Sequence, residues 1–355
     1  MPFDRRSLVT GAFAALGFAS RSFAGEALAR LAARLAAEDE ICAVAVATLE
    51  GGQVGQTLMA SGCATQPDDD AVFQAASLSK PVVALLALRM VERGELALDQ
   101  PVSRWLPDGY SHRQNIFSVK AAPIVDVVPV EILRQVTPRM LLSHSAGFPN
   151  WSASGPLLLG STPGSRWQYS GEGYVLLQQI LAIISGRPLQ LLAEQELFEP
   201  LGMTGAAFEI TDAIKARLVP GSPRQIRFPY EIASSSLYTT AGDYARFVAG
   251  VLNDEKLLSL TIDNPVALPS SWGGLFSSTS LGWGLGWGIE AREKPVSIWH
   301  WGANPGFRSL VLVDLRSRNA IVALTASDKG MPLAKTLVNA AIPGEHPALS
   351  LDSVR

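Results

Sequence analysis

The most informative stretch of this chain is SLSKPVVALLALRMVERG, which occupies residues 77–94. The run from Pro81 is apolar on nearly every side and is closed by Gly94, which predicts a buried helix that ends at this glycine. Ser77 then stands at the helix start, with the positive end of the helix dipole behind its oxygen. Lys80 follows three residues later, on the same helical face. A serine hydroxyl beside an amine makes a nucleophile and a base, provided that the amine lies where its pKa can fall.

An isolated Ser-x-x-Lys pattern is also compatible with a capping serine and a solvated lysine on a surface helix. The apolar character of this helix on all sides argues against a surface position. Ser79 is adjacent to Lys80 and points in another direction, so Ser77 is the better nucleophile candidate.

The composition limits the size of the core and the class of partner. The 355 residues, 48% of them hydrophobic, are enough for a large core in one or two lobes. The net charge is -3 and the pI is about 5.9, and no basic block indicates nucleic acid or an anionic membrane surface as a partner. No segment beyond the N-terminus is apolar over the length needed to span a bilayer, so no stable membrane anchor is predicted. No metal or other cofactor is predicted, and the oligomeric state stays open.

The first 24 residues have the pattern of an export signal. Paired arginines, Arg5 and Arg6, precede an apolar run at residues 10–19, and small residues near 22–24 offer a cleavage site. This order is typical of a twin-arginine signal, with an ordinary secretory signal as the alternative and cytosolic retention as a third. We expect residues 25–355 to form one domain of an exported protein, periplasmic or secreted.

The two cysteines flank a predicted β-hairpin. Residues 41–62 comprise two β-rich runs separated by a glycine-rich turn. If the turn centres on Gly52 and Gln53, Cys42 lies opposite Cys63, within disulfide range. We predict this disulfide, which an exported compartment permits; two small buried thiols are the alternative.

Strand-like and helical segments occur in blocks along the chain. We predict helices at 26–38, 137–145, 172–185, 189–201 and 331–341, and strands at 283–290, 296–301, 307–314 and 319–326. The predicted fold class is α+β, with one antiparallel sheet built from both chain ends, flanked by helices, and an inserted helical lobe. The lobe that carries the sheet would comprise residues 25–107 and 241–355, and the helical lobe residues 108–240.

Two further motifs place polar groups on loops. Tyr169 lies in PGSRWQYSGEGY, residues 163–174, where a phenol could shuttle protons if a neighbouring cation lowered its pKa. His300 begins HWGANPGFR, residues 300–308, where it would present a polar edge to a cleft and Gly302 would let a substrate approach. Taken alone, each has a plainer explanation: a loop tyrosine that covers the core, and a structural histidine.

In this order, Ser-x-x-Lys, Tyr-Ser-x and His-x-Gly resemble the motifs of the class C β-lactamase-like serine hydrolases. That family includes D-Ala-D-Ala carboxypeptidases, D-aminopeptidases, esterases and acyltransferases. The similarity covers nearly the whole mature chain and extends to FQAA at 73–76, LLSHSAGFP at 141–149 and GWGLGW at 282–287.

The resemblance implies a β-lactamase/transpeptidase-like catalytic domain. It implies Ser77 as the nucleophile, with Lys80 and Tyr169 sharing the general-base and general-acid work. It also implies an oxyanion hole formed by the backbone N–H groups of Ser77 and Ala303. His144, within the 141–149 segment, is interpreted as structural.

The chain departs from the lactamase pattern at two positions. Gly171 stands where such lactamases carry an asparagine that contacts the substrate, and His300 stands where they carry a lysine that meets the β-lactam carboxylate. Trp301 adds bulk at the cleft edge. We therefore predict an acyl-enzyme hydrolase of small esters or amides, either an esterase or a D-amino-acid peptidase.

Two alternatives are a β-lactamase, with Arg308 in place of the missing cation, and a penicillin-binding or ligand-sensing protein without turnover. The small-molecule partner would accordingly be an ester, a peptide or a β-lactam. The predicted substrate-binding residues are His300, Trp301, Gly302, Arg308 and Gly171.

Overall fold

The computed structural model describes residues 25–118, 123–152, 154–269 and 280–351. The predicted export signal at residues 1–24 lies outside these described residues. Within them, no single helix is long and apolar enough to cross a membrane, and the helical segments Gly171–Ser185 and Leu189–Leu201 meet that criterion only as a pair bent by 73°.

The strands fall into one large sheet and two small ones. They are β1 Val44–Glu50, β2 Gln53–Ala60, β3 Phe73–Ala76, β4 Tyr110–Arg113, β5 Val125–Val128, β6 Leu237–Thr239, β7 Val266–Ala267, β8 Ser280–Trp283, β9 Gly288–Ala291, β10 Pro295–Asn304, β11 Phe307–Asp314 and β12 Ala320–Thr325. The large sheet has eight antiparallel strands in the order β2-β1-β12-β11-β10-β9-β8-β7. It therefore joins the two ends of the chain, which confirms the predicted fold class.

The helices surround this sheet. They are α1 at residues 25–38, α2 Ser79–Glu92, α3 Val130–Leu133, α4 Pro138–Leu142, α5 Gly171–Ser185, α6 Leu189–Ala193, α7 Glu199–Leu201, α8 Asp212–Arg217, α9 Ala241–Asn253, α10 Glu255–Ile262 and α11 Gly330–Ala341. A π-helical turn, Glu194–Phe198, joins α6 to α7, and 3-10 turns occupy Val102–Arg104 and Pro347–Ser350.

Each face of the sheet contributes to a separate part of the core, because side chains alternate along a strand. In β11, Leu310 and Leu312 pack with α1 and α11, whereas Val311 and Val313 face the other way. On that second side lie α9 and the central helix α2, which is buried almost all round, as the sequence predicts. This burial carries the start of α2 to the edge of the sheet, at the end of β3.

Some element boundaries differ from the prediction. Residues 283–290 are not one strand: β8 ends at Trp283 and β9 begins at Gly288. Gly286 lies in the turn between them at φ +92°, and its N–H donates to the Leu142 carbonyl across the helical part. The predicted strand was wrong because the glycines that fit a strand at this point form a turn that touches α4.

The Cys42–Cys63 disulfide is present, with a Cα–Cα distance of 4.9 Å. The hairpin register on which the prediction was based was wrong. Glu50 pairs with Gln53, not two residues further along, and an irregularity between Ala47 and Leu49 then shifts the pairing by one residue. The cysteines meet beyond the last pair of the ladder, so the register does not decide whether they bond.

Candidate active site

A tight turn between β3 and α2 holds Ser77 at the mouth of a cleft. The residue before it, Ala76, has φ +52°, a left-handed conformation that is strained for a side chain other than glycine. The Ser79 hydroxyl donates to the Ala76 carbonyl at 2.6 Å and accepts from the Leu237 N–H at 3.0 Å. Ser309 donates to the Ala75 carbonyl at 2.8 Å. These bonds fix the turn and leave Ser79 buried beneath it, while Ser77 faces the cleft.

Lys80 lies directly below Ser77. Its Nζ is 3.0 Å from the Ser77 Oγ and 2.8 Å from the Ser234 carbonyl oxygen, and the side chain is fully buried. None of the ion pairs among the described residues includes Lys80, and burial lowers its pKa well below the usual value. The lowered pKa favours the neutral amine, which is the form that can accept a proton from Ser77.

Tyr169 is the third polar side chain of the site, beside Ser77 and Lys80. Its ring centroid is 4.8 Å from the Lys80 Nζ, and its buried hydroxyl approaches Ser77 without a well-aligned hydrogen bond. Burial raises the Tyr169 pKa, and the contact with Ser77 offsets the rise only in part. The expectation that a neighbouring cation lowers this pKa was therefore wrong, because burial is the largest effect on it and raises it. Tyr169 is a protonated phenol, suited to donate a proton.

His144 supports Tyr169 from below. The imidazole is buried, its Nδ1 accepts from the Ser170 N–H at 3.1 Å, and its ring centroid is 4.4 Å from that of Tyr169. Burial, with smaller effects of Lys80 and His300, lowers its pKa well below the usual value. A neutral His144 therefore packs the tyrosine in place, in agreement with a structural interpretation.

The cleft edge of β10 is available to a substrate. β9 pairs with β10 only up to Trp299, and among the described residues no strand continues along that edge towards Asn304. Ala303 is exposed there and lines the same cleft as Ser77. The arrangement places the two predicted oxyanion-hole residues on one wall.

His300 and Gly302 lie behind this wall and do not line the cleft. His300 is fully buried with its ring 5.3 Å from that of Trp283, and burial lowers its pKa to about 3. A side chain on Gly302 would lie 2.4 Å from the Ala75 carbonyl oxygen. The prediction that both contact substrate was wrong: the glycine makes room for the Ser77 turn, not for a ligand, and the imidazole is enclosed by aromatic rings.

Arg308 is also engaged elsewhere. Its Nη1 donates to Asp328 at 2.8 Å, to the Asn304 carbonyl at 2.9 Å and to the Phe307 carbonyl at 2.8 Å. Arg308 does not line the cleft, so it does not replace the missing lysine as predicted for a lactamase.

Gly171 is covered, and the prediction that it meets substrate was wrong. A Cβ at this position would lie 2.6 Å from the Asn150 carbonyl oxygen and 2.7 Å from the Trp151 ring. The Asn150 side chain accepts from the Gly171 N–H at 3.0 Å. The space for an asparagine side chain is therefore filled by residues from the 143–152 loop, which the sequence did not indicate as part of the site.

A buried ionic cluster anchors this loop. His112 contacts Asp126 through Nδ1 at 2.9 Å and Glu172 through Nε2 at 3.3 Å. The Glu172 carboxylate also accepts from the Ser152 N–H at 2.8 Å, next to Trp151. Burial opposes protonation of His112, but its two carboxylate neighbours outweigh burial and raise its pKa. The cluster ties the β4–β5 hairpin and the start of α5 to the loop.

The cleft has a volume of about 720 Å³. Trp301 lines it as predicted, with its ring centroid 5.1 Å from that of Tyr169. Further lining residues that sequence reasoning missed are Asn150, Trp151, Arg166, Trp167, Gln168, Ser235 and Asn304. For Arg166, Trp167 and Gln168 a signal existed, because they belong to the motif that contains Tyr169.

The Beta-lactamase family profile matches residues 28–341. The chain belongs to the beta-lactamase family. The prediction of a serine hydrolase that acts on ester or amide bonds is confirmed at this level of description.

The relatives of this beta-lactamase family member include an esterase and a carboxypeptidase. It is 26% identical to esterase EstB of Burkholderia gladioli over 289 residues, which cover 64% of this chain and 69% of the esterase. It is 24% identical to the D-alanyl-D-alanine-carboxypeptidase/endopeptidase AmpH of Escherichia coli over 259 residues, 70% of this chain and 67% of AmpH. The solved D-amino acid amidase of Ochrobactrum anthropi superposes with a TM-score of 0.67 at 21% identity, over 89% of this chain and 96% of the amidase. That last likeness establishes the shared fold.

Proposed function

We propose that the protein is an exported esterase that forms an acyl-enzyme on Ser77. The observation that carries the proposal is the 3.0 Å contact between Ser77 Oγ and a fully buried Lys80 whose pKa burial lowers. Among the described residues no carboxylate pairs with this amine to restore its charge, so it is suited to act as the base.

The proton path follows from the two pKa directions. Lys80 Nζ takes the Ser77 proton as Oγ bonds to the acyl carbon. The bond from that carbon to the leaving oxygen then breaks, and the oxygen takes a proton from the Tyr169 phenol, which the Lys80 ammonium restores. Water then attacks the acyl carbon by the same steps in reverse, and its proton passes through Tyr169 to Lys80. The bond between that carbon and Ser77 Oγ breaks, Lys80 returns the proton to Oγ, and the acid is released. The N–H groups of Ser77 and Ala303 would hold the oxyanion, and one such donor typically supplies about 3 kcal/mol.

We propose esters in preference to β-lactams because of the residues that occupy the positions of the family lysine and asparagine. At the position of the family lysine, His300 is neutral and enclosed, and the place of the family asparagine is filled by Trp151. A β-lactam carboxylate and acylamino group would each lose a partner, which costs more than the loss of an apolar contact. The similarity to esterase EstB supports the same choice.

Export is proposed on two grounds. The N-terminal residues have a signal pattern, and the Cys42–Cys63 disulfide is of a kind that persists in oxidising compartments. Fractionation of cells that express the full chain, with mass measurement of the mature N-terminus, tests this; an uncleaved cytosolic protein would contradict it.

The activity is tested with p-nitrophenyl acetate and nitrocefin. We expect wild type to hydrolyse the ester with the higher kcat/KM and to show an acetyl adduct on Ser77 by intact mass and peptide mapping. Ser77→Ala should lose turnover and adduct while remaining folded, and Ser79→Ala, the matched control, should lose stability but keep the adduct. Rapid nitrocefin turnover without ester hydrolysis would favour the lactamase, and a permanent adduct would favour a ligand sensor.

A further inference from the structure

We infer that Arg166 is an anion-binding subsite of this cleft and selects esters that carry a carboxylate. The inference rests on the proposed esterase function and deepens it by naming the substrate class. It begins from the charges around Ser77.

Among the described residues, Lys80, His300, Arg308 and Arg166 are basic side chains at or near the cleft, and the first three are unavailable to an anion. Lys80 is fully buried beneath Ser77, His300 is enclosed and neutral, and Arg308 is held by Asp328 and two carbonyl groups. Among the described residues that line the cleft, Arg166 is the one charged side chain.

No acidic side chain of the described residues compensates the charge of Arg166. Its Nη2 donates to the Gly160 carbonyl at 3.0 Å, and no carboxylate of the described residues pairs with the guanidinium. A guanidinium has five N–H donors, so a carboxylate can bind in the two-point geometry that arginine favours.

Arg166 is also held within reach of the reacting atoms. Its neighbour Trp167 is buried, and the Gln168 N–H donates to the His144 carbonyl at 2.7 Å. Arg166 is three positions before Tyr169, so their Cα atoms are at most about 11 Å apart. The indole rings of Trp151, Trp167 and Trp301 form apolar walls, which strengthen the field of a single charge.

The test compares three matched esters: meta-acetoxybenzoate, its uncharged methyl ester, and meta-(trimethylammonio)phenyl acetate. Wild type should prefer the carboxylate over the methyl ester in kcat/KM, mainly through KM. Arg166→Gln should reduce that preference by about tenfold, the value of a partly exposed charge-assisted hydrogen bond. Arg166→Glu should transfer the preference to the cationic ester, and added salt should weaken the wild-type preference. Arg134→Gln is the matched control and should behave as wild type, because Arg134 is an exposed arginine directly after α3 that does not line the cleft.

Binding to Ser77→Ala, measured by calorimetry, separates this inference from the proposed function. Tighter binding of meta-acetoxybenzoate than of its methyl ester, lost in Ser77→Ala/Arg166→Gln, supports the subsite even if wild type hydrolyses no ester. Equal binding of the two esters, or a charge preference that survives Arg166→Gln and Arg166→Glu, would overturn it, whether or not neutral esters are hydrolysed.

Discussion

Restoring the family asparagine at Gly171 tests how the cleft wall is built. In Gly171→Asn the new Cβ would meet the Asn150 carbonyl oxygen at 2.6 Å and the Trp151 ring at 2.7 Å, both far inside normal contact distance. Neither neighbour yields easily: one is backbone, and the other is a ring that itself packs at 4.7 Å from Phe117. Forced overpacking of this kind typically costs about 1–3 kcal/mol. We expect a loss of unfolding free energy in that range, and no gain in nitrocefin hydrolysis.

The assay is urea unfolding of a double-mutant cycle. Trp151→Ala should remove the ring contact but not the carbonyl contact, so Gly171→Asn should cost less in that background than in wild type. Gly51→Asn is the control, since a Cβ there meets nothing within 4 Å and asparagine tolerates the left-handed φ of +58°. If Gly171→Asn were as stable as Gly51→Asn, or if it gained lactamase activity, the account of this wall would be refuted.

The remaining predictions concern the catalytic groups, the disulfide and the ionic cluster. Lys80→Met and Tyr169→Phe should each lower kcat/KM for p-nitrophenyl acetate by about 10²–10⁴-fold, which is typical for the loss of a general acid–base group. The far-UV circular dichroism of both variants should be unchanged. A rate near that of wild type in either variant would show that the residue takes no part in the chemistry. Cys42→Ser/Cys63→Ser should lower the unfolding free energy by about 3 kcal/mol, since the bond closes a separation of 21 residues, and an unchanged urea midpoint would contradict this. Because the His112 pKa is raised in the folded state, protonated His112 contributes its full stabilisation below the unfolded-state pKa of about 6.5, and this contribution is lost as pH rises through the folded-state pKa. The difference in urea midpoint between wild type and His112→Asn should therefore be larger near pH 6 than near pH 9. A difference that grows with pH would contradict this.

The sheet and the Ser77–Lys80 pair were predictable because they depend on local pattern. Short β-rich apolar runs in residues 307–314 and 319–326, bounded by glycine and charged turns, indicate strands, and the apolar run after Lys80 indicates a buried helix. Once that helix is buried, its first polar side chains must lie at a surface or a cleft. The three motifs of the family then specify where the cleft is.

The predictions that failed concern residues whose roles depend on contacts between segments distant in the sequence. The sequence suggests that Gly171 has lost a substrate contact, whereas in the structure Trp151 covers this position. It also suggests that Gly302 lets a substrate approach, whereas in the structure the Ala75 carbonyl occupies that space. The sequence alone does not distinguish the two arginines, but in the structure Arg308 pairs with Asp328 and Arg166 lines the cleft. The hairpin register was missed because an irregularity between Ala47 and Leu49 has no clear mark in the sequence.

The central claim is that a neutral Lys80 activates Ser77, and the pH dependence of acylation tests it most directly. The first-turnover burst of p-nitrophenol would be measured across the pH range in wild type, His300→Asn and Lys80→Met. Because burial lowers the Lys80 pKa well below its usual value, the burst rate should rise with pH and level off before the range of an ordinary lysine, keep this profile in His300→Asn and lose it in Lys80→Met. A burst rate that still climbs through about pH 10, the range of an ordinary lysine, would contradict the account.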